Sequence, residues 1–126
     1  MRAVLHQVRI SPKKANLIAG MVRKRTAAEG LELLKYMPKK GARIIYKVLA
    51  SAVANAESNF GQDKKDLVIS SVFVTSGPIY KRGQSHSKGR VTPLFKRTSH
   101  ITIELEAGAV EEDAKEESET KKTEKK

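Results

Sequence analysis

The sequence predicts an α+β fold: three helices packed on a small antiparallel three-stranded sheet, with a long protruding β-hairpin arm and a disordered C-terminal tail. Three observations carry this expectation. Apolar residues recur at helical spacing through the first half of the chain. Two strand-like runs, LVISSVFVT and HITIELE, come after them. The connection between those runs is far longer than the roughly two to five residues that a hairpin needs.

The elements follow in order. Val4, Val8 and Ile10 alternate with Leu5, Gln7 and Arg9, which suits a short strand with His6 on the Val4 face. Ser11-Pro12 then reads as a helix start, with serine capping open amides and proline tolerated in the first turn. Ala15, Ile18, Ala19 and Val22 form the buried stripe of that helix, and Lys13, Lys14, Arg23, Lys24 and Arg25 make its ends basic. Lysines in a first turn oppose the helix dipole, so local stability does not explain Lys13 and Lys14.

Thr26-Ala-Ala-Glu29 has capping-box spacing and begins a second helix. Its stripe is Ala27, Leu31 and Leu34, and Pro38 stops it near Tyr36. Gly30 weakens it by roughly 1 kcal/mol against alanine, so packing has to hold it. The third helix spans KKGARIIYKVLASAVANAESN, where Ile45, Val48, Leu49, Ala52, Val53 and Ala56 share one face. Ala42, Ala50, Ser51 and Ala54 are small enough to admit neighbouring backbones closely, and Asn59 with Gly61 supplies the stop. In HITIELE, Ile101, Ile103 and Leu105 point one way while Thr102, Glu104 and Glu106 point the other, the mark of an antiparallel strand with one wet face. The order is β-α-α-α-β-β. Residues 1–106 form one domain with the arm at about 79–97, and residues 107–126 form a charged tail too poor in apolar residues to fold.

Charge narrows the function classes. The 126 residues carry a formal net charge of +11, distributed unevenly. Residues 1–106 hold 20 Lys/Arg against 7 Asp/Glu, a net of +13, whereas residues 107–126 hold 5 against 7, a net of −2. A body this basic repels itself unless a polyanion neutralises it. From Leu67 to Ile103 there is no acidic residue, while Lys81, Arg82, Lys88, Arg90, Lys96 and Arg97 all fall there. Solvated loops ordinarily mix both signs. If the two flanking strands continue as a ribbon, roughly nine residues a side at ~3.3 Å each make an arm of about 30 Å. Gly83, Ser85, Ser87 and Gly89 keep it narrow, and Ile79, Tyr80, Val91, Leu94 and Phe95 flank its legs. Such an arm is completed by something anionic outside the chain.

Enzymatic chemistry finds no footing. There is no cysteine, and His6, His86 and His100 lack ligand-like spacing, so neither metal nor cofactor is expected. His100, at a strand start, reads as a polar contact. Gly83 to Gly89 fails the spacing of a phosphate loop. Glu104 and Glu106 share a solvent face and read as salt-bridge partners for the basic region around Arg97 rather than a catalytic pair. MRAVLHQVRISPKK lacks the apolar core of a signal peptide, and no run approaches a membrane span. The absence of Trp argues against a basic membrane-surface helix.

Four motifs carry a resemblance: VRISPKKANLIAGMVRKR, KVLASAVANAESN, KGR within the arm and KRTSHITIELE on its return leg. In that order they resemble protein twenty-two of the large ribosomal subunit, bacterial type, over about residues 3 to 106. The resemblance implies a cytoplasmic, ribosome-bound monomer whose body lies near the exit of the nascent-peptide tunnel. It implies a hairpin threaded through ribosomal RNA, with its tip lining the tunnel. The implied partners are large-subunit ribosomal RNA, neighbouring ribosomal proteins and the nascent polypeptide. The implied RNA contacts are Arg9, Lys13, Lys14, Lys81, Arg82, Lys88, Gly89, Arg90, Lys96, Arg97, Thr98, Ser99 and His100. The implied tunnel-lining tip is Gly83, Gln84, Ser85, His86 and Ser87. Here the chain departs from the family: GQSHS stands where family tips often carry an apolar-Pro-Arg-Ala run.

The alternative is an architectural DNA-binding protein whose β-arm enters a minor groove. Such proteins usually dimerise, and the sequence shows no apolar helix stripe beyond one core.

Overall fold

A computed structural model of the chain describes residues 1–108. The expected charged tail lies, from residue 109 onward, outside the described residues. Eight elements follow one another: β1 (Arg2–Val8), α1 (Pro12–Val22), α2 (Ala27–Tyr36), α3 (Lys40–Phe60), β2 (Leu67–Ser76), β3 (Tyr80–Ser85), β4 (Val91–Lys96) and β5 (Ser99–Ala107). Three helices cover one face of an antiparallel sheet ordered β1-β5-β2, and β3 pairs with β4 in a separate two-stranded ribbon. The last strand is therefore the central one, and both its neighbours run antiparallel to it.

Local chemistry sets the helix ends. Ser11 Oγ accepts the Lys14 amide at 3.4 Å, and Thr26 Oγ1 accepts the Glu29 amide at 3.3 Å. These are the two caps expected from sequence. Gly61 closes α3 in the left-handed conformation, φ 60°, its amide reaching the carbonyls of Ala56 and Glu57. The expected stripes of α1 and α3 are buried throughout. Two small residues depart from expectation, because Ser51 and Ala54 face solvent rather than a neighbouring backbone.

In α2 the buried residues are Ala27, Gly30 and Leu34, with Leu31 only half-buried. Gly30 is thus a packing residue. A Cβ there would lie 2.8 Å from Ile69 Cδ1 and 3.1 Å from Val22 Cγ1. Its cost in helix propensity is offset by the close seating of α2 on β2 and α3.

Both edge strands carry a one-residue irregularity against β5, between Leu5 and Val8 in β1 and between Ile69 and Ser71 in β2. The extra Ser70 is what lets Leu67, Ile69 and Val72 all reach the core, since strict alternation would turn Val72 outward. In β1 the inward residues are Ala3 and Leu5, while Val4 and His6 point away from the helices. The Val4 face is the outer face. Ile10 falls beyond the strand, because Gln7 adopts φ 53° and the chain bends after Val8.

The α1–α2 connection covers the free edge of β2. Lys24 N–H donates to the Ile69 carbonyl at 3.0 Å, and Ile69 N–H returns a bond to Arg25 at 2.9 Å. Arg23 adds two donors to the Val72 carbonyl, Nε at 3.1 Å and Nη2 at 2.6 Å. An edge closed in this way offers few backbone groups for unwanted strand pairing.

Candidate nucleic-acid interface

The ribbon begins where the body's sheet stops. The β2–β5 ladder ends at Ser76 and Ser99, and the β3–β4 ladder starts at Tyr80 and Lys96. Between them Pro78 has no amide to offer a ladder. Six paired residues a side span about 20 Å at ~3.3 Å each. The continuous ladder expected from sequence is shortened by this interruption at the root.

Thr98 and Ser99, expected among the RNA contacts, lie buried at the root. Thr98 is 1% exposed and Ser99 is fully buried. Thr98 Oγ1 donates to the Pro78 carbonyl at 2.6 Å, and its own carbonyl accepts the Gly77 amide at 2.9 Å. A Cβ at Gly77 would come within 2.6 Å of Thr98 Oγ1, so only glycine lets the two legs close here. Ser99 Oγ finds no hydrogen-bond partner among the described residues.

Arg9 ties the root to the body. Its Nη1 donates to the Lys96 carbonyl at 3.1 Å, and its guanidinium lies 5.7 Å from the Tyr80 ring centroid. A second cation–π contact, Arg97 over Phe95 at 5.7 Å, stiffens the return leg. His100 is half-buried beside this root. Its Nδ1 accepts the Gln7 amide at 3.1 Å and lies 3.3 Å from His6 Nδ1.

Every residue of β3 and β4 is exposed. The register alternates the two faces. Tyr80, Arg82, Gln84, Thr92, Leu94 and Lys96 lie on one; Lys81, Gly83, Ser85, Val91, Pro93 and Phe95 lie on the other. Each face mixes cations with apolar groups, and neither packs on the body.

The apex differs from the expected tip. Gly83, Gln84 and Ser85 are strand residues paired with Pro93, Thr92 and Val91. The turn runs from His86 to Arg90, closed by the His86 amide on the Arg90 carbonyl at 2.8 Å. Ser87, Lys88 and Gly89 make one 3-10 turn, in which Lys88 (φ 62°) and Gly89 (φ 72°) are both left-handed. The KGR motif therefore forms the tip, and two of its side chains are cations. Pairing register, which the sequence leaves open, decides this.

The body adds charge of its own. Lys13 and Lys14 are exposed on the first turn of α1. A groove of about 650 Å³ between β1 and α3 carries Arg2, Arg43 and Lys47 on its walls. Among the described residues one ion pair forms, Lys64 Nζ to Glu57 Oε1 at 3.3 Å. Glu104, expected as an ion-pair partner, instead accepts the Ser71 hydroxyl at 2.8 Å. A cationic surface with so few acidic partners suits phosphate neutralisation.

A sequence model of the family described as Ribosomal protein L22p/L17e matches residues 3–106. The match takes in all three helices, the three-stranded sheet and both legs of the arm. Over that span, this chain belongs to the L22p/L17e family: a structural, non-enzymatic constituent of the large ribosomal subunit that binds ribosomal RNA.

Proposed function

We propose that the arm at about 79–97 threads between segments of large-subunit RNA, which wrap both of its faces, and that its apex reaches the nascent-peptide tunnel. The observation that carries this reading is an arm exposed on both faces, with six cations and no acid from Leu67 to Ile103. Lys81, Arg82, Lys88, Arg90, Lys96 and Arg97 neutralise phosphates, which positions the protein without reading sequence. Arginine adds forked bonds and stacking on splayed bases, which lysine lacks. Arg9, Lys13 and Lys14 extend the contact onto the body. Thr98, Ser99 and His100 hold the root at its angle to the sheet. The body sits as one copy beside neighbouring ribosomal proteins near the tunnel exit.

The test places a photo-crosslinking side chain at Lys88 and isolates large subunits carrying a stalled nascent chain. Crosslinks to both ribosomal RNA and the nascent peptide are the expected result. Crosslinks confined to solvent-side RNA or to other proteins would remove the apex from the tunnel.

A further inference from the structure

Among the described residues, the three helices cover one face of the sheet and the opposite face is open. Near the arm root this open face is aromatic. Phe73 stands on β2, 53% exposed, opposite Thr102, which in turn faces Val4. One row nearer the root, Thr75 pairs with His100, whose ring meets His6 edge-on at 5.3 Å between centroids. An exposed phenylalanine on the uncovered side of an edge strand has no core to serve.

The surroundings say what covers it. The acids of β5 lie on the far side of Thr102: Glu104 is turned onto Ser71, and Glu106 pairs with Val68. Next to Phe73, the Arg23 guanidinium lies at the edge of β2, bonded to the Val72 carbonyl and to Asn16 Oδ1, while Lys24 and Arg25 pair with Ile69, farther along that edge from the root. Hydroxyls and imidazoles lie across the face and one flat ring on its edge strand, with cations along that edge and at the root, where Arg9 reaches Lys96. That arrangement fits unpaired nucleotides. Bases stack on rings, phosphates meet the edge cations, and threonine hydroxyls answer sugars and base edges. Duplex RNA presents no free base faces to such a surface. An apolar protein partner would leave the bordering guanidinium groups and imidazoles without matching chemistry.

We propose that the open face of the sheet at Phe73 is a stacking platform for single-stranded RNA, separate from the arm. It rests on the RNA-binding character of the family and is independent of where the arm goes. The platform holds a base on the Phe73 ring, with His6 and His100 flanking it.

The chain contains no tryptophan, so F73W introduces a single indole reporter. The full chain is titrated with a short oligoadenylate and, separately, with an RNA hairpin that lacks unpaired ends and is closed by a non-nucleotide linker in place of its loop. F73W should bind oligoadenylate as tightly as the unaltered chain, with its fluorescence quenched to saturation. F73L, which keeps the apolar surface and loses the ring, should bind oligoadenylate roughly five- to hundredfold more weakly. Its affinity for the hairpin and its salt slope should not change. Unchanged oligoadenylate binding by F73L, an unquenched indole, or an equal loss on the hairpin would each overturn the platform. Replacing Lys96 and Arg97 by alanine tests the arm on the same RNAs through the salt slope, so failure of one reading leaves the other measurable.

Discussion

Ile103 and Leu94 are both branched aliphatic residues in antiparallel strands, yet Ile103 is fully buried and Leu94 is 47% exposed. Ile103 sits on the central strand with a partner on each side, Ala3 and Val72, beneath the helices. Leu94 has one partner, Arg82, and nothing above it. The same side-chain chemistry thus serves two purposes. In the body it removes apolar area from water, and in the arm it waits for a surface that another molecule brings. An isolated two-stranded ribbon is marginal in water. In the proposed function the arm draws its stability from RNA, whereas the body rests on its own core.

This contrast can be broken most sharply in the core. Ile103→Ala should destabilise the body by about 2–5 kcal/mol, the cost of a buried aliphatic truncation with its cavity. Urea unfolding followed by helical circular dichroism would register it. Leu94→Ala should shift the same curve by less than about 0.5 kcal/mol, as exposed substitutions do. Comparable losses from the two variants would mean that the arm packs on the body in solution.

The root gives the next largest effect. Thr98→Ala strands the Pro78 carbonyl and should cost about 1–3 kcal/mol. Ser99→Ala, one residue on, removes a buried hydroxyl that has no partner and should be neutral or stabilising by up to about 1–3 kcal/mol. If thermal melts ranked these two the other way round, the hydrogen bonding of the root would need redrawing.

Replacing Lys96 and Arg97 by alanine should leave the melting temperature unchanged. It should lower the slope of log affinity for RNA against log salt by about one unit or more. An unchanged slope would place the RNA contact elsewhere on the body. The smallest effect is expected from deleting Gly83 to Arg90, which should leave the helical signal and the unfolding midpoint of the body where they were. A drop in either would show that the two regions fold as one.

Much of the body is legible in the amino-acid sequence. Helix caps depend on side chains within a few residues of the amides they satisfy, so Ser11 and Thr26 could be read locally. The stripe from Ile45 to Ala56 follows from a period that every residue of α3 repeats. The positive charge of the arm was equally visible, as an absence of acids over one span. The rest depends on pairing across long separations. Gly30 counted only as a helix defect until Ile69 and Val22 closed on it. The one-residue irregularity in β2 turned Val72 inward. The expected tip shifted from Gly83–Ser87 to His86–Arg90 because register, set by Tyr80 against Lys96, places the turn.

The amino-acid order by itself determined which segments are helices, which are strands, and that one basic segment has no partner within residues 1–106. Those properties arise from neighbours a few positions apart and from simple charge. Only the tertiary structure decided that β5 lies in the centre, that Thr98 and Ser99 are walled into the root, and that Phe73 and the histidines share one uncovered face. Each of these brings together residues far apart in the chain, and no local preference records which strands will meet.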